Sequence, residues 1–385
     1  MRTRSTMLFG LGLLTGCDDA ITGPPASRDR TPVDSILSAV RERHGLPGIV
    51  AVVVRAEGAG LTGASGVRKL GESTPVTVDD RFHLGSNVKA MTATLVAELV
   101  EDGTLGWDTT PLDVFPGLAT TIHPDHRSVT LTQLLQHRAG IEQLGVFAEI
   151  PPLAGSPMEQ RQLGTELLLE LSPPAPVGTY LYSNGGYAIA AAMGEWKAGK
   201  PWEELIQSRL LLPLGITATS GWPAAHGAQQ PWGHEGTNSG FIPHSPDLED
   251  DPLRAPPAIA PAGDLSMSVR DYAKFIQLHL RGLRGEPRLL SAAGFRRLHT
   301  PVGNYAMGWG EVDLNGERTA THDGSTGTFW ATVWMQPRRN LAVAVLINAG
   351  GDRASAAAAE AALALLRRYG GVVPSTDVAT LRATR

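Results

Sequence analysis

Phe82-His83-Leu84-Gly85-Ser86-Asn87-Val88-Lys89 reads as a strand that breaks at Gly85 and enters a helix at Ser86. Beyond it, Val88, Met91, Leu95 and Leu99 recur at helical spacing, Val96 and Val100 widen the stripe, and Gly103 stands just past the end. Ser86 and Lys89 are three residues apart, so on a helix they share a face. A serine hydroxyl is a weak nucleophile until a base takes its proton. A lysine can be that base where burial and neighbouring positive charge leave it neutral. The free backbone N–H groups of a helix start can stabilise a developing oxyanion. Among Lys69, Lys89, Lys197, Lys200 and Lys274, only Lys89 has a serine three residues upstream. Taken alone, the pair also reads as a serine N-cap followed by a solvated lysine, so the catalytic reading needs partners elsewhere in the chain.

Working toward the N-terminus, Ile49 to Arg55 is a continuous β-branched run, the mark of a buried strand, and Gly58 to Gly60 turns it into a second strand near Leu61 to Arg68. Before them, Thr31-Pro32 opens a helix with Val33, Ile36, Leu37 and Val40 on one face and Gly45 at its end. The first residues are a targeting segment: Arg2 and Arg4, a short apolar core from Met7 to Leu14, then Leu14-Thr15-Gly16-Cys17. This ending resembles the lipobox of bacterial lipoproteins. It implies a lipoprotein signal peptide over 1–16 and a lipidated Cys17 on a flexible tether over 17–32. The expected location is the cell envelope, on the periplasmic or extracellular side of a bacterial membrane. Cys17 is the single cysteine, which excludes a disulfide framework and a thiolate metal site.

Toward the C-terminus, Thr130 to His137 reads as a capped helix ending at Gly140, and helical patterns continue over about 159–171, 185–198 and 202–211. Residues 222–263 are rich in Pro and Gly with little periodicity, as expected of a long functional loop wrapping a site. A helix from Asp264 to Leu280 follows. Tyr305–Val312, Thr328–Gln336 and Leu341–Asn348 read as strands of a meander, and Ala354–Tyr369 as a closing helix. The expected fold is α/β (α+β): an antiparallel sheet flanked by helices and built from both chain ends, about 33–85 and 264–370, with a mostly helical insertion over about 104–263. Residues 371–385 are left as a tail. A formal net charge of -5 over 385 residues offers no basic field for nucleic acid.

Two further motifs can meet Ser86 in such a fold. Tyr182-Ser183-Asn184 precedes a helix starting near Gly185: a tyrosine can relay a proton if cations favour its phenolate, and an asparagine amide can orient a carbonyl. His322-Asp323-Gly324-Ser325 lies at the edge of the meander, where a strand glycine marks close backbone approach. An ordinary loop and a hairpin turn are the plainer readings of these two. Gly324-Ser325-Thr326-Gly327 also resembles part of a nucleophile elbow, but Asp323 stands where the first glycine is needed.

Ser86-x-x-Lys89, Tyr182-x-Asn184 and His322-x-Gly324, in this order, resemble the serine β-lactamase and penicillin-binding-protein superfamily. The nearest branch is that of class C β-lactamases, D-Ala-D-Ala carboxypeptidases and related esterases. Leu131 to Gly140, Pro176-Val177-Gly178, Pro261 to Asp264 and Met307 to Gly310 are further similar stretches, and the resemblance runs from about 33 to 369. It implies Ser86 as the acylated nucleophile, Lys89 as proton acceptor and Tyr182 in proton transfer to the leaving group and from water. It also implies Asn184 binding substrate or positioning Lys89, and His322 donating toward Tyr182 or substrate. The oxyanion hole would come from the backbone N–H groups of Ser86 and Ser325, with Gly324 between the strand motif and the nucleophile. No metal or cofactor is implied. The expected activity is a serine hydrolase on esters or D-amino-acid peptides and amides, with weak β-lactamase activity. The alternatives are a class C-like β-lactamase, and a penicillin- or cell-wall-peptide sensor that deacylates slowly. His322 stands where lactamases of this branch usually carry lysine. Being mostly neutral at pH 7, with Asp323 beside it, it should disfavour anionic substrates if Asp323 faces the cleft.

Overall fold

Gly48–Val54 and Leu341–Ile347 are apolar runs without alternation because each is covered on both faces. Val50, Val52, Ala344 and Leu346 belong to one core, while Ile49, Ala51, Val53, Val343, Val345 and Ile347 belong to a second on the other side. The computed structural model describes residues 31–58, 60–145, 152–248 and 251–370. Cys17, the signal and tether segments up to residue 30, and the tail over 371–385 lie outside the described residues.

The main sheet has six strands in the order Leu61–Gly66, Gly48–Val54, Leu341–Ile347, Trp330–Gln336, Glu317–Ser325, Gly310–Leu314, and every pairing is antiparallel. Ile49 pairs with Ile347, so the two chain ends meet at the sheet's middle, as expected. One face carries the helices Pro32–His44 and Gly351–Gly370. The first begins in a capping box between Thr31 and Asp34 and ends at Gly45 in the left-handed conformation. The second presents Ala354, Ala357, Ala358, Ala361 and Ala362, whose small side chains let it lie close to the strands. The opposite face carries the large helical region.

At the centre of that region the helix Val88–Glu101 is buried almost all round, including Lys89, Thr92 and Thr94. The stripe legible in the sequence understates this. Ser86 lies one turn earlier, in the short 3₁₀ segment Gly85–Asn87, after a strand reduced to Arg81–His83. Three other boundaries differ from expectation. The Thr130-capped helix is only Leu131–Leu135, and His137 then adopts φ 58°. Asp264 precedes a short strand, Ser266–Ser268, and Ser268 caps the helix Val269–Leu283. The meander holds a further strand, Glu317–Ser325, so His322 lies within a strand and is buried rather than in a hairpin turn.

Candidate active site

Lys89 is fully buried, and its Nζ lies 3.0 Å from Ser86 Oγ, 2.6 Å from Asn184 Oδ1 and 2.8 Å from the Ala262 carbonyl. Asn184 cannot present its amide nitrogen instead, because Nδ2 donates to the Leu144 carbonyl at 3.0 Å. Among the described residues no carboxylate pairs with Lys89, and burial holds its pKa well below the ordinary lysine range. Burial alone is the cause; no neighbouring cation is needed. A neutral amine has two N–H groups and one lone pair. Two neighbours can only accept, so they take both hydrogens and the lone pair faces the Ser86 hydroxyl. Ala262 ends the 3₁₀ segment Pro257–Ala262, which Thr92 also holds by donating to the Pro261 carbonyl at 2.7 Å.

The nucleophile turn and the strand Glu317–Ser325 meet backbone to backbone. Gly85 has φ 51°, and a Cβ on it would lie 2.6 Å from Ser325 N; a Cβ on Gly324 would lie 1.9 Å from the Leu84 carbonyl and 2.8 Å from Ser86 N. Neither position admits a side chain, and this bareness brings the N–H groups of Ser86 and Ser325 into one neighbourhood. Asn87 braces the turn from behind: its amide donates to the Leu84 and Ala331 carbonyls and its Oδ1 accepts from the buried Tyr272 hydroxyl. Ser325's own hydroxyl turns away and accepts from Gly327 N at 3.2 Å, at the end of an antiparallel strand. The nucleophile-elbow alternative fails on that geometry.

Tyr182 hydrogen-bonds with Ser86, but burial raises its pKa, and Tyr180 and Asp323 push the same way. Burial thus favours a neutral phenol at rest. His322 is held at both nitrogens of its ring. Its Nδ1 donates to the Asp323 carbonyl at 2.7 Å, and its Nε2 meets the Tyr305 hydroxyl at 3.0 Å. Its ring centroid is 6.4 Å from that of Tyr182. The orientation of Asp323 follows from register. It stands opposite Thr332, from which its Oδ1 accepts at 2.5 Å, and Thr332 in turn accepts from Trp334 Nε1. Val333, opposite His322, packs in the core on the Ser86 side, whereas Trp334 packs in the other. The carboxylate is thus directed away from Ser86.

Two clefts flank these groups. One, of about 580 Å³, is bounded by Ser86, Asn184, Ser325, Trp222 and Arg254; the long loop after residue 222 forms part of its wall. The other, of about 1220 Å³, is bounded by Tyr182, Tyr305, Tyr180, Arg138 and His322. Ala262, Asn87 and Arg138 lie within stretches quoted for the resemblance, but neither they nor Tyr272 announce a role in sequence, because they act through a backbone carbonyl, a buried amide, or a position set by tertiary packing. No group of side chains suited to holding a metal occurs among the described residues.

The beta-lactamase family model matches residues 33–367. Penicillin-binding protein 4 of Amycolatopsis lactamdurans is 30% identical over 332 residues, spanning 81% of this chain and 83% of that protein. The unguisins hydrolase ungD of Aspergillus violaceofuscus is 25% identical, over 85% of this chain and 63% of that protein. Among solved structures, D-amino acid amidase from Ochrobactrum anthropi SV3 superposes with a TM-score of 0.70 at 19% identity, covering 87% of this chain and 98% of that one, a likeness of fold alone. A match over almost all the described residues makes this protein a member of the beta-lactamase family, within the hydrolases of the β-lactamase and penicillin-binding-protein superfamily.

Proposed function

We propose that the protein is a serine hydrolase acting through an acyl-enzyme on Ser86, on esters or D-amino-acid peptides and amides, with weak β-lactamase activity. The observation that carries this reading is the trio of acceptors around a buried Lys89, of which only Ser86 Oγ has a proton to give. Neutral Lys89 takes that proton as Oγ attacks the substrate carbonyl. The ammonium formed keeps all three acceptors, so the charge is born into a site already arranged for it. The oxyanion falls between the N–H groups of Ser86 and Ser325. Tyr182, protonated at rest, donates to the leaving group and recovers a proton from Lys89. In the second half-reaction the same pair takes a proton from water as it attacks the Ser86 ester, and Lys89 returns that proton to Ser86 Oγ as the ester bond breaks and the acid leaves. The relatives, a penicillin-binding protein and a hydrolase, are consistent with this class.

The test uses the chain lacking residues 1–30, a fluorophosphonate or penicillin probe, and a panel of short-chain aryl esters, D-Ala-D-Ala peptides and a chromogenic cephalosporin. Ser86→Ala should abolish labelling and turnover. Lys89→Ala and Tyr182→Phe should each lower kcat by roughly 10²–10⁴-fold, with a double variant little worse than either single one. A probe adduct mapped to Ser325 would reverse the assignment.

A further inference from the structure

One buried histidine beside the site has no part in the chemistry described above. His137 follows the short helix Leu131–Leu135 with φ 58°, a left-handed conformation that a residue bearing a side chain holds only at a cost. Both backbone N–H groups that flank Tyr182 end on it: Leu181 N donates to the His137 carbonyl at 2.8 Å, and Ser183 N donates to His137 Nδ1 at 3.0 Å. The bond from Ser183 sets the tautomer. Nδ1 must keep its lone pair, so the ring proton sits on Nε2, which has no partner among the described residues. Burial, ahead of Lys89 and His322, holds the pKa of His137 well below the usual histidine range, so the ring stays neutral and the lone pair persists. The imidazole also lies against the phenol of Tyr182, with ring centroids 4.2 Å apart and planes inclined by 40°. His137 lines neither cleft, so whatever it does for the reaction passes through Tyr182.

A phenol is a long lever. A small rotation of the backbone at residue 182 displaces its hydroxyl by about 1 Å, and a misplacement of that size can cost about 10²-fold in rate. We infer that His137 is a positioning residue: its carbonyl and Nδ1 fix the chain on both sides of Tyr182, and its ring fixes the plane of the phenol, so that the hydroxyl stays between Ser86 and the leaving group. The inference rests on Tyr182 as the leaving-group proton donor, as proposed above. It also says which substrates depend on the clasp. An alkoxide or an amine must be protonated as it departs, whereas 4-nitrophenoxide departs unaided. His137 therefore extends the reaction from activated esters to ordinary esters and amides.

The test compares ethyl acetate with 4-nitrophenyl acetate, which share an acyl group and differ in whether the leaving group needs a proton. The readout is the ratio of their kcat/KM values, which reports acylation. Glycine and asparagine both tolerate the positive φ at position 137, and asparagine sets an acceptor oxygen near the place of Nδ1. His137→Gly should lower the ethyl-to-nitrophenyl ratio about 10- to 100-fold, and His137→Asn should restore most of it. Adding His137→Gly to Tyr182→Phe should lower the ratio no further than Tyr182→Phe alone, since the group being positioned is already gone. Equal slowing of both esters in His137→Gly, or no recovery in His137→Asn, would make His137 a packing residue and overturn the inference. Nitrogen NMR of the wild type needs no variant and decides even if His137→Gly does not fold. His137 should carry its proton on Nε2 across the active pH range, and a proton on Nδ1 would break the clasp and overturn the inference. A ratio unmoved by Tyr182→Phe would remove the proton-donor assignment itself, an outcome separable from one in which Tyr182→Phe moves the ratio and His137→Gly does not.

Discussion

Replacing Asn184 by Asp would set a carboxylate where an amide oxygen now lies 2.6 Å from Lys89 Nζ. An opposite charge at that distance favours the ammonium. The wild-type lysine must be neutral to act, so activity is present above its lowered pKa and lost as pH falls through it. Asn184→Asp raises that pKa, and the acid limb of the kcat/KM profile should move to higher pH. The amide donor to Leu144 is lost as well, so the displacement of the limb, rather than the maximal rate, is the informative readout. An unmoved acid limb would mean that Lys89 is not the group titrating there. At this scale Ser86, Lys89 and Tyr182 were legible in the sequence, because a hydroxyl, an amine and a phenol announce their chemistry. The acceptor at Ala262 was not: any residue supplies a carbonyl, and only the path of the chain brings this one to Nζ. Nor does the sequence say that Tyr182 is a phenol rather than a phenolate, since burial decides that.

Between elements, the contact of consequence is the one Gly85 and Gly324 permit. Gly324→Ala would put a methyl 1.9 Å from the Leu84 carbonyl, in backbone that has no flexible end to swing aside. The strand must then retreat from the nucleophile turn. Overpacking of this kind costs about 1–3 kcal/mol, so the variant should fold with a lowered denaturation midpoint. The separation of the Ser86 and Ser325 N–H groups should slow acylation about 10²–10³-fold, the usual penalty for losing an oxyanion donor. Normal acylation with normal stability would show that the two backbones are not in register as described. The strand itself was hard to read. Glu317 to Ser325 mixes charged, hydroxyl and small residues, so it lacks the apolar run that revealed its neighbours. The direction of Asp323 was decided only by which residue of the next strand stands opposite it.

Across the described residues, a buried ion pair ties the helical region to the segment that holds Lys89. Arg161 is 1% exposed and donates through Nε and Nη2 to Glu195 Oε1, at 2.9 and 2.6 Å, while Nη1 reaches the Pro257 carbonyl at 2.8 Å. Glu195 also accepts from Trp202 N. Three helices and the Pro257–Ala262 segment that carries the Lys89 acceptor therefore share this hub. Glu195→Ala leaves a buried guanidinium whose one remaining carboxylate partner among the described residues is the partly exposed Glu203, and should destabilise by about 3–5 kcal/mol in denaturant titration. A loss below about 1 kcal/mol would mean that the pair is hydrated. The fold class was legible because the two strands buried on both faces sit at opposite ends of the chain, and the hub was not, because Arg161, Glu195 and Glu203 are each unremarkable in a helical pattern. The pairing of Gly48–Val54 with Leu341–Ile347 has one more consequence. During synthesis the early strand emerges long before its partner exists, and the strand that supplies the Ser325 N–H comes late as well. Until the ribosome has passed Ile347, a growing chain can hold Ser86 and Lys89 but has no closed sheet and an incomplete oxyanion site. Catalytic competence should therefore arrive all at once, only after Ile347 has left the ribosome, and a nascent hydrolase of this build stays inert until then.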